Sequence, residues 1–249
     1  MKILKKLYDK SELIFTIVWI VAYIVLMSLG DNLSDMIKIS KLITLPIALL
    51  LSLILFFFIT NNKLLKTYGL QKAKVHPKKM LFYVPCIILL TANLWFGVKL
   101  NYTPLETVLY ILTMFCVGFL EELIFRGLLF NTMKKDNLKT AIIVSSLTFG
   151  IGHIVNLFNG SGADLLPNIL QVIYATSAGF MFVMLYHKSD SLIICILVHS
   201  LFNGLSAFAV EAPSINLQIL SCILLTAITG VYAIYLALTK VDDEKSISL

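Results

Sequence analysis

Arginine is almost missing from this chain of 249 residues: one, Arg126, stands against 19 lysines. Charge of either sign is scarce, with Asp, Glu, Lys and Arg together at 14% of positions. A soluble domain of this length carries nearer a quarter, so a water-facing globule is excluded. The four cysteines, Cys86, Cys116, Cys195 and Cys222, show no CxxC spacing, and no HExxH, GxSG or GxGD occurs. The commonest zinc spacings are therefore missing, and isolated cysteines in apolar surroundings behave as small hydrophobes, so no disulfide framework is expected.

What the chain has in abundance is apolar surface: 59% hydrophobic residues and a mean hydropathy of +0.91. Crossing about 30 Å of hydrocarbon takes roughly 20 residues of helix. Runs of that order lie at about 12–29, 42–60, 81–98, 106–130, 141–157, 168–187, 191–209 and 217–238. None alternates as barrel strands do, and lipid admits only helices or closed barrels. The expectation is an all-α polytopic bundle of eight transmembrane helices in a cell membrane, folded as one domain over 1–249 with a motif-bearing core at about 106–209. "MKILKKLYDK" resembles a signal-peptide n-region, but the apolar stretch after it is too long and lacks a small-residue cleavage site, so it reads as a retained first span.

Basic residues in short loops stay cytoplasmic. With an inside N-terminus, 17 of the 20 fall in or beside cytoplasmic segments, against Lys38, Lys41 and Lys99 outside, which puts both termini in the cytoplasm. That bias accounts for the net charge of +6. Anionic lipid headgroups are a sufficient partner for it, and nucleic acid is not implied. The basic connection 61–79 reads as a segment lying along the membrane surface.

Three charges fall deep inside one span, in "FLEELIFRG": Glu121, Glu122 and Arg126. Each costs about 2.5–3.5 kcal/mol at a helix centre before pairing. Glu122 and Arg126 are four apart and share a helical face, while Glu121 is turned about 100° from Glu122. The guanidinium can brace Glu122 with parallel hydrogen bonds and stays charged where a lysine would lose its proton. A structural ion pair explains those two residues. It does not explain Glu121.

Two of the four histidines, His153 and His199, also lie within spans. Glu121 precedes Lys134 by 13 residues and His153 follows Thr140 by 13, which places both about 20 Å from the cytoplasmic ends at 1.5 Å per residue. His199 and Asn203, one turn apart on the seventh span, bracket the same depth. A carboxylate and an imidazole at one level can activate a water, and a second imidazole with an amide can hold a developing oxyanion where other water is excluded. The chemistry suggested is amide hydrolysis at or in the membrane, with a peptide or membrane protein as substrate.

Glu121-Glu122-x-x-x-Arg126, Phe149-x-x-x-His153 and His199-x-x-x-Asn203, in this order on separate helices, resemble the three motifs of the CAAX protease and bacteriocin-processing (Abi) family of intramembrane proteases. The resemblance spans 121–203 and implies an eight-helix fold, Glu121 as general base, His153 aiding water activation, and His199 and Asn203 stabilising the oxyanion. Glu122 and Arg126 would hold the helix, and Phe149 would pack or wall the substrate groove. It leaves open whether Glu121, His153 and His199 bind zinc or work without metal. Gly204-Leu205-Ser206-Ala207 falls short of a rhomboid GxSG, so Ser206 is expected to pack. Gly118, Gly127, Gly150 and Gly152 are expected to let helices approach. The rival from another class is a non-catalytic membrane protein: a bacteriocin immunity factor that binds without cutting, or a proton-relaying transporter. A transporter predicts related halves and broken helices, which the sequence does not show.

Overall fold

A computed structural model describes residues 1–158 and 164–239, and within them the chain is helical throughout apart from its connections and one isolated bridge between Val98 and Ala209. Nine helices follow in order: α1 (Lys2–Lys10), α2 (Glu12–Ile37), α3 (Thr44–Asn61), α4 (Val84–Thr91), α5 (Pro104–Met133), α6 (Leu138–Gly152), α7 (Leu165–Ser189), α8 (Ile193–Leu205) and α9 (Ile215–Leu238). Local chemistry starts several of them. Ser11, Asn137 and Ser214 each accept a backbone N–H of the first turn of α2, α6 and α9. Thr103 and Glu106 form a reciprocal capping box ahead of α5, with Pro104 at its first position.

Six helices, α2, α3, α5, α6 (extended through Leu157 by a 3₁₀ turn), α7 and α9, are long and apolar enough to cross a membrane. This is a multi-pass membrane protein. The third and seventh expected spans differ from the sequence reading. Over 81–98 only Val84–Thr91 is α-helical, because Leu81, Phe82 and Tyr83 adopt left-handed backbone and Pro85 sits in the first turn of the helix. Over 191–209 the helix covers 13 residues, Ile193–Leu205. The first is about 12 Å of α-helix and the second continues through a 3₁₀ turn to Phe208, so both are shorter than the six helices above.

The 61–79 connection is tied to the bundle by hydrogen bonds. Part of it packs against the end of the bundle where α7 and α8 join. Leu192 N–H donates to Gly69 O at 2.7 Å, Ser191 Oγ to Gln71 O at 2.6 Å, and Lys74 pairs with Asp190. Tyr68, Val75 and Met80 are buried there, Tyr68 donating to Tyr8 of α1 at 2.8 Å.

Close helix approaches set the frame of the central layer. A side chain at Gly118 of α5 would land on Ser200 of α8, and one at Gly150 of α6 would land on Thr176 of α7, including its Cα at 2.7 Å. Such small-residue contacts replace the hydrophobic force that lipid cannot supply. Gly152, by contrast, meets nothing within 4 Å and faces open space, and Gly127 fits against Leu123 and Leu192.

Candidate active site

The helix α5 changes character at the motif. Pro104–Glu121 is α-helical, and the nine residues Glu122–Phe130 wind as a π-helix with every one of them buried. Its i→i+5 bonding gives a wider turn, and such segments recur where a helix must aim side chains unusually. Here it presents Glu121 and Glu122 toward α8 from the junction of the two geometries.

Glu122 and Arg126 are wholly buried. Arg126 Nη1 donates to Glu122 Oε1 at 3.1 Å, and the same oxygen lies 2.7 Å from His199 Nδ1. A carboxylate only accepts, so Nδ1 carries the proton, which turns Nε2 of His199 toward Glu121. The guanidinium is held between aromatic faces, its Cζ 4.0 Å from the centroid of Phe149 and 5.4 Å from that of Phe182. Desolvated cation–π contacts of this kind contribute about 2 kcal/mol. Phe182 also stacks on the His199 ring (5.6 Å, 16°), while Phe149 meets His199 and His153 edge-on at 5.6 and 5.1 Å. Phe149 thus touches the brace and both histidines. Arg126 does not make the two parallel bonds expected: Nε, Nη2 and Glu122 Oε2 find no partner among the described residues.

Glu121 is not left free. Its Oε1 accepts from Tyr23 Oη of α2 at 2.6 Å, and Oε2 lies 3.5 Å from His199 Nε2. Tyr23 was not foreseen. It sits 98 positions away in an apolar run, and nothing in the sequence distinguishes it from the other nine tyrosines. His153 begins the 3₁₀ turn after α6, its Nδ1 on Phe149 O at 3.0 Å and its own carbonyl accepting from Asn168 at 2.8 Å. Asn203 lies one turn after His199 on α8 and receives Ser206 Oγ on its carbonyl at 2.6 Å. Ser206 also meets Tyr110 at 2.9 Å, in keeping with a packing role.

Glu121, His153, Asn203, Tyr23 and Phe149 line one cavity of about 330 Å³. His199 borders the carboxylates behind it, 5% exposed. A second cavity of about 240 Å³, more apolar, shares Asn93, Gln171, Tyr174 and Phe202 with the first.

Residues 103–205 match the family described as Rce1-like, type II CAAX prenyl endopeptidase Rce1-like. Over this segment the chain is similar to CAAX proteases. No curated protein and no solved structure gives a match to the chain. The Rce1-like segment contains all seven residues singled out from the motifs, and its family indicates a peptide hydrolase of the membrane. Tyr23, Ile24, Met27 and Asp31, which complete the cavity wall from α2, lie outside it.

A zinc ion at this site would need Glu121, His153 and His199 as its ligands. Both histidines turn Nδ1 to an oxygen and leave Nε2 available, an orientation metal ligands share. Yet no group of three or more His, Cys, Asp or Glu side chains among the described residues is gathered closely enough to hold a metal ion. Glu121, His153 and His199 are not drawn together as a three-ligand set among the described residues.

Proposed function

We propose that the protein hydrolyses a peptide bond in a membrane-associated peptide or protein by attack of a water activated by Glu121. Glu121 takes the water's proton and gives it to the departing amine nitrogen when the oxyanion collapses and the C–N bond breaks, and Tyr23 fixes the orientation of the carboxylate. His153, on the same cavity wall, orients the water through Nε2. As the tetrahedral oxyanion forms, His199 and Asn203 donate to it; the Glu122 carboxylate on Nδ1 stabilises the positive charge that this requires of the His199 ring. Glu122 therefore serves His199 as well as Arg126, and Arg126 offsets the burial of Glu122.

The observation that carries this reading is the position of Glu121: a carboxylate at the closed end of a polar cavity, held by Tyr23 on one oxygen and facing His199 with the other. The test is cleavage of a quenched peptide library by purified wild type and Glu121→Gln, each with and without chelator. Loss of at least about 1,000-fold in Glu121→Gln, with the chelator inert, is the expected result for a general base acting without metal. Equal rates for wild type and variant would instead favour a protein that binds without cutting, such as a bacteriocin immunity factor, and inhibition by the chelator would return the zinc alternative.

A further inference from the structure

His153 stands where α6 ends. Gly152 is the last α-helical residue, and His153 opens the 3₁₀ turn that runs to Leu157. Its Nδ1 faces Phe149 O at 3.0 Å; a carbonyl only accepts, so Nδ1 carries the proton and Nε2 is left to the cavity. That bond fixes the ring against the last turn of α6. The turn itself is held by a side chain from the next helix: Asn168, in the first turn of α7, donates Nδ2 to His153 O at 2.8 Å. Three residues on, Gln171 accepts from Asn156 Nδ2 at 3.1 Å, so α7 holds the turn at two of its five residues.

These polar pairs act where the close contact between α6 and α7 gives out. Gly150 seats α6 directly on Thr176, but Gly152 meets nothing within 4 Å. A 3₁₀ turn has poorer hydrogen-bond geometry than an α-helix and gives the ring little support of its own. Asn168 is 1% exposed, and its Oδ1 finds no hydrogen-bond partner among the described residues. A buried amide with its oxygen unpaired costs stability that an apolar side chain of the same shape would not. Residues that work against local stability in this way belong to positions where a site takes precedence over the fold.

We propose that Asn168 is a positioning residue: by holding the His153 carbonyl, it sets the depth and tilt at which the His153 ring meets the water beside Glu121. Asn168 belongs to none of the three motifs. It lines neither cavity, so it acts through His153 and touches neither water nor substrate. The inference rests on the proposed hydrolysis for its kinetic consequence, while the hold on the ring stands on the geometry.

The test compares wild type in detergent with Asn168→Leu, which is close in shape but lacks the amide. Thermal unfolding of the variant is expected within about 3 °C of wild type or above it, because the orphaned oxygen leaves with the amide. Cleavage of the quenched peptides is expected to fall at least about ten-fold in kcat with KM within about two-fold, as follows when a catalytic group is displaced. Asn168→Ala, which adds no bulk, should show the same loss of kcat and decides the matter if the leucine variant does not fold. A readout independent of cleavage is the NMR spectrum of protein carrying isotope-labelled histidine, its ring signals assigned with His153→Gln and His199→Gln. The His153 signals should shift or broaden in the Asn168 variants, and those of His199 should keep their positions. Unmoved His153 signals overturn the inference, as do a wild-type kcat, a rise in KM alone, or a loss of kcat that only tracks a loss of stability. If wild type itself cleaves nothing, the hydrolysis is what fails, and the His153 signals then decide by themselves whether Asn168 holds the ring.

Discussion

Glu122 gives one oxygen to two donors, Arg126 and His199, and this makes the charges in "FLEELIFRG" unequal in what their loss does. Arg126→Met leaves a buried carboxylate without its cation and is expected to lower stability by about 3–5 kcal/mol, read as thermal unfolding in detergent. Adding Glu122→Gln removes the stranded charge and should recover most of that loss. Cleavage should stay at least about ten-fold down in the double variant, because His199 then has a neutral acceptor where it had a charged one, a difference of roughly 1.5 kcal/mol. Full activity in the double variant would reduce the pair to packing. Tyr23→Phe removes only the hydroxyl on Glu121 Oε1. The expected result is kcat down by about 10- to 100-fold with KM within about two-fold, the size of a hydrogen bond to a charged group; a change in KM alone would assign Tyr23 to substrate binding. Much of this layer was legible beforehand. Charges inside a span are conspicuous against a 14% background, and helical spacing with equal depth joined Glu121, His153, His199 and Asn203. Tyr23 and the Glu122–His199 contact were not legible, since both depend on which faces of separate helices meet. Spacing along one helix, which paired Glu122 with Arg126, carries no information about a partner 77 positions away.

At the level of helices, one glycine controls the height at which His153 is presented. Gly150 lets α6 and α7 touch at Thr176, whereas Gly152, two residues on, faces the cavity with nothing within 4 Å. Gly150→Ala forces backbone apart and is expected to lower stability by about 1–3 kcal/mol, as overpacking does, and to reduce cleavage with it. Gly152→Ala should change stability by less than about 0.5 kcal/mol, as substitutions away from close contacts do. Equal effects of the two on thermal unfolding would remove the α6–α7 contact from the explanation. Sequence marked these glycines together and could not separate them, because a glycine's neighbours are set by tertiary packing. The third span shows a different limit. Hydropathy over 81–98 is continuous, but Pro85 in the first turn and the left-handed residues before it start the helix late, and the Val98–Ala209 bridge takes up the chain beyond it. Pro85 was a visible start signal. The onset of π-helix at Glu122 was not visible, since the same residues would satisfy an ordinary α-helix by composition.

Considered whole, the molecule places its chemistry in a segment smaller than the unit that makes it work. The Rce1-like match ends at residues 103 and 205, yet α2 supplies the hydroxyl on Glu121 and one wall of the cavity. The segment after α4 supplies part of the mouth. Two pieces should therefore reconstitute what neither has alone. A break after Leu100, which is 77% exposed and lies in the connection ahead of the α5 cap, separates α1–α4 from α5–α9 without cutting a helix. Membrane helices fold individually before they associate, and the contacts of α2 and α3 with α5 are made by packing that survives such a break. Co-expressed fragments 1–100 and 101–249 are expected to cleave the reporter peptide, and each alone to be inactive. Tyr23→Phe placed in the first fragment should lower kcat by the same factor as in the intact chain. If fragment 101–249 cleaves unaided at the full rate, α2 is only a neighbour of the site, the role of Tyr23 falls with it, and the Rce1-like segment carries the activity on its own.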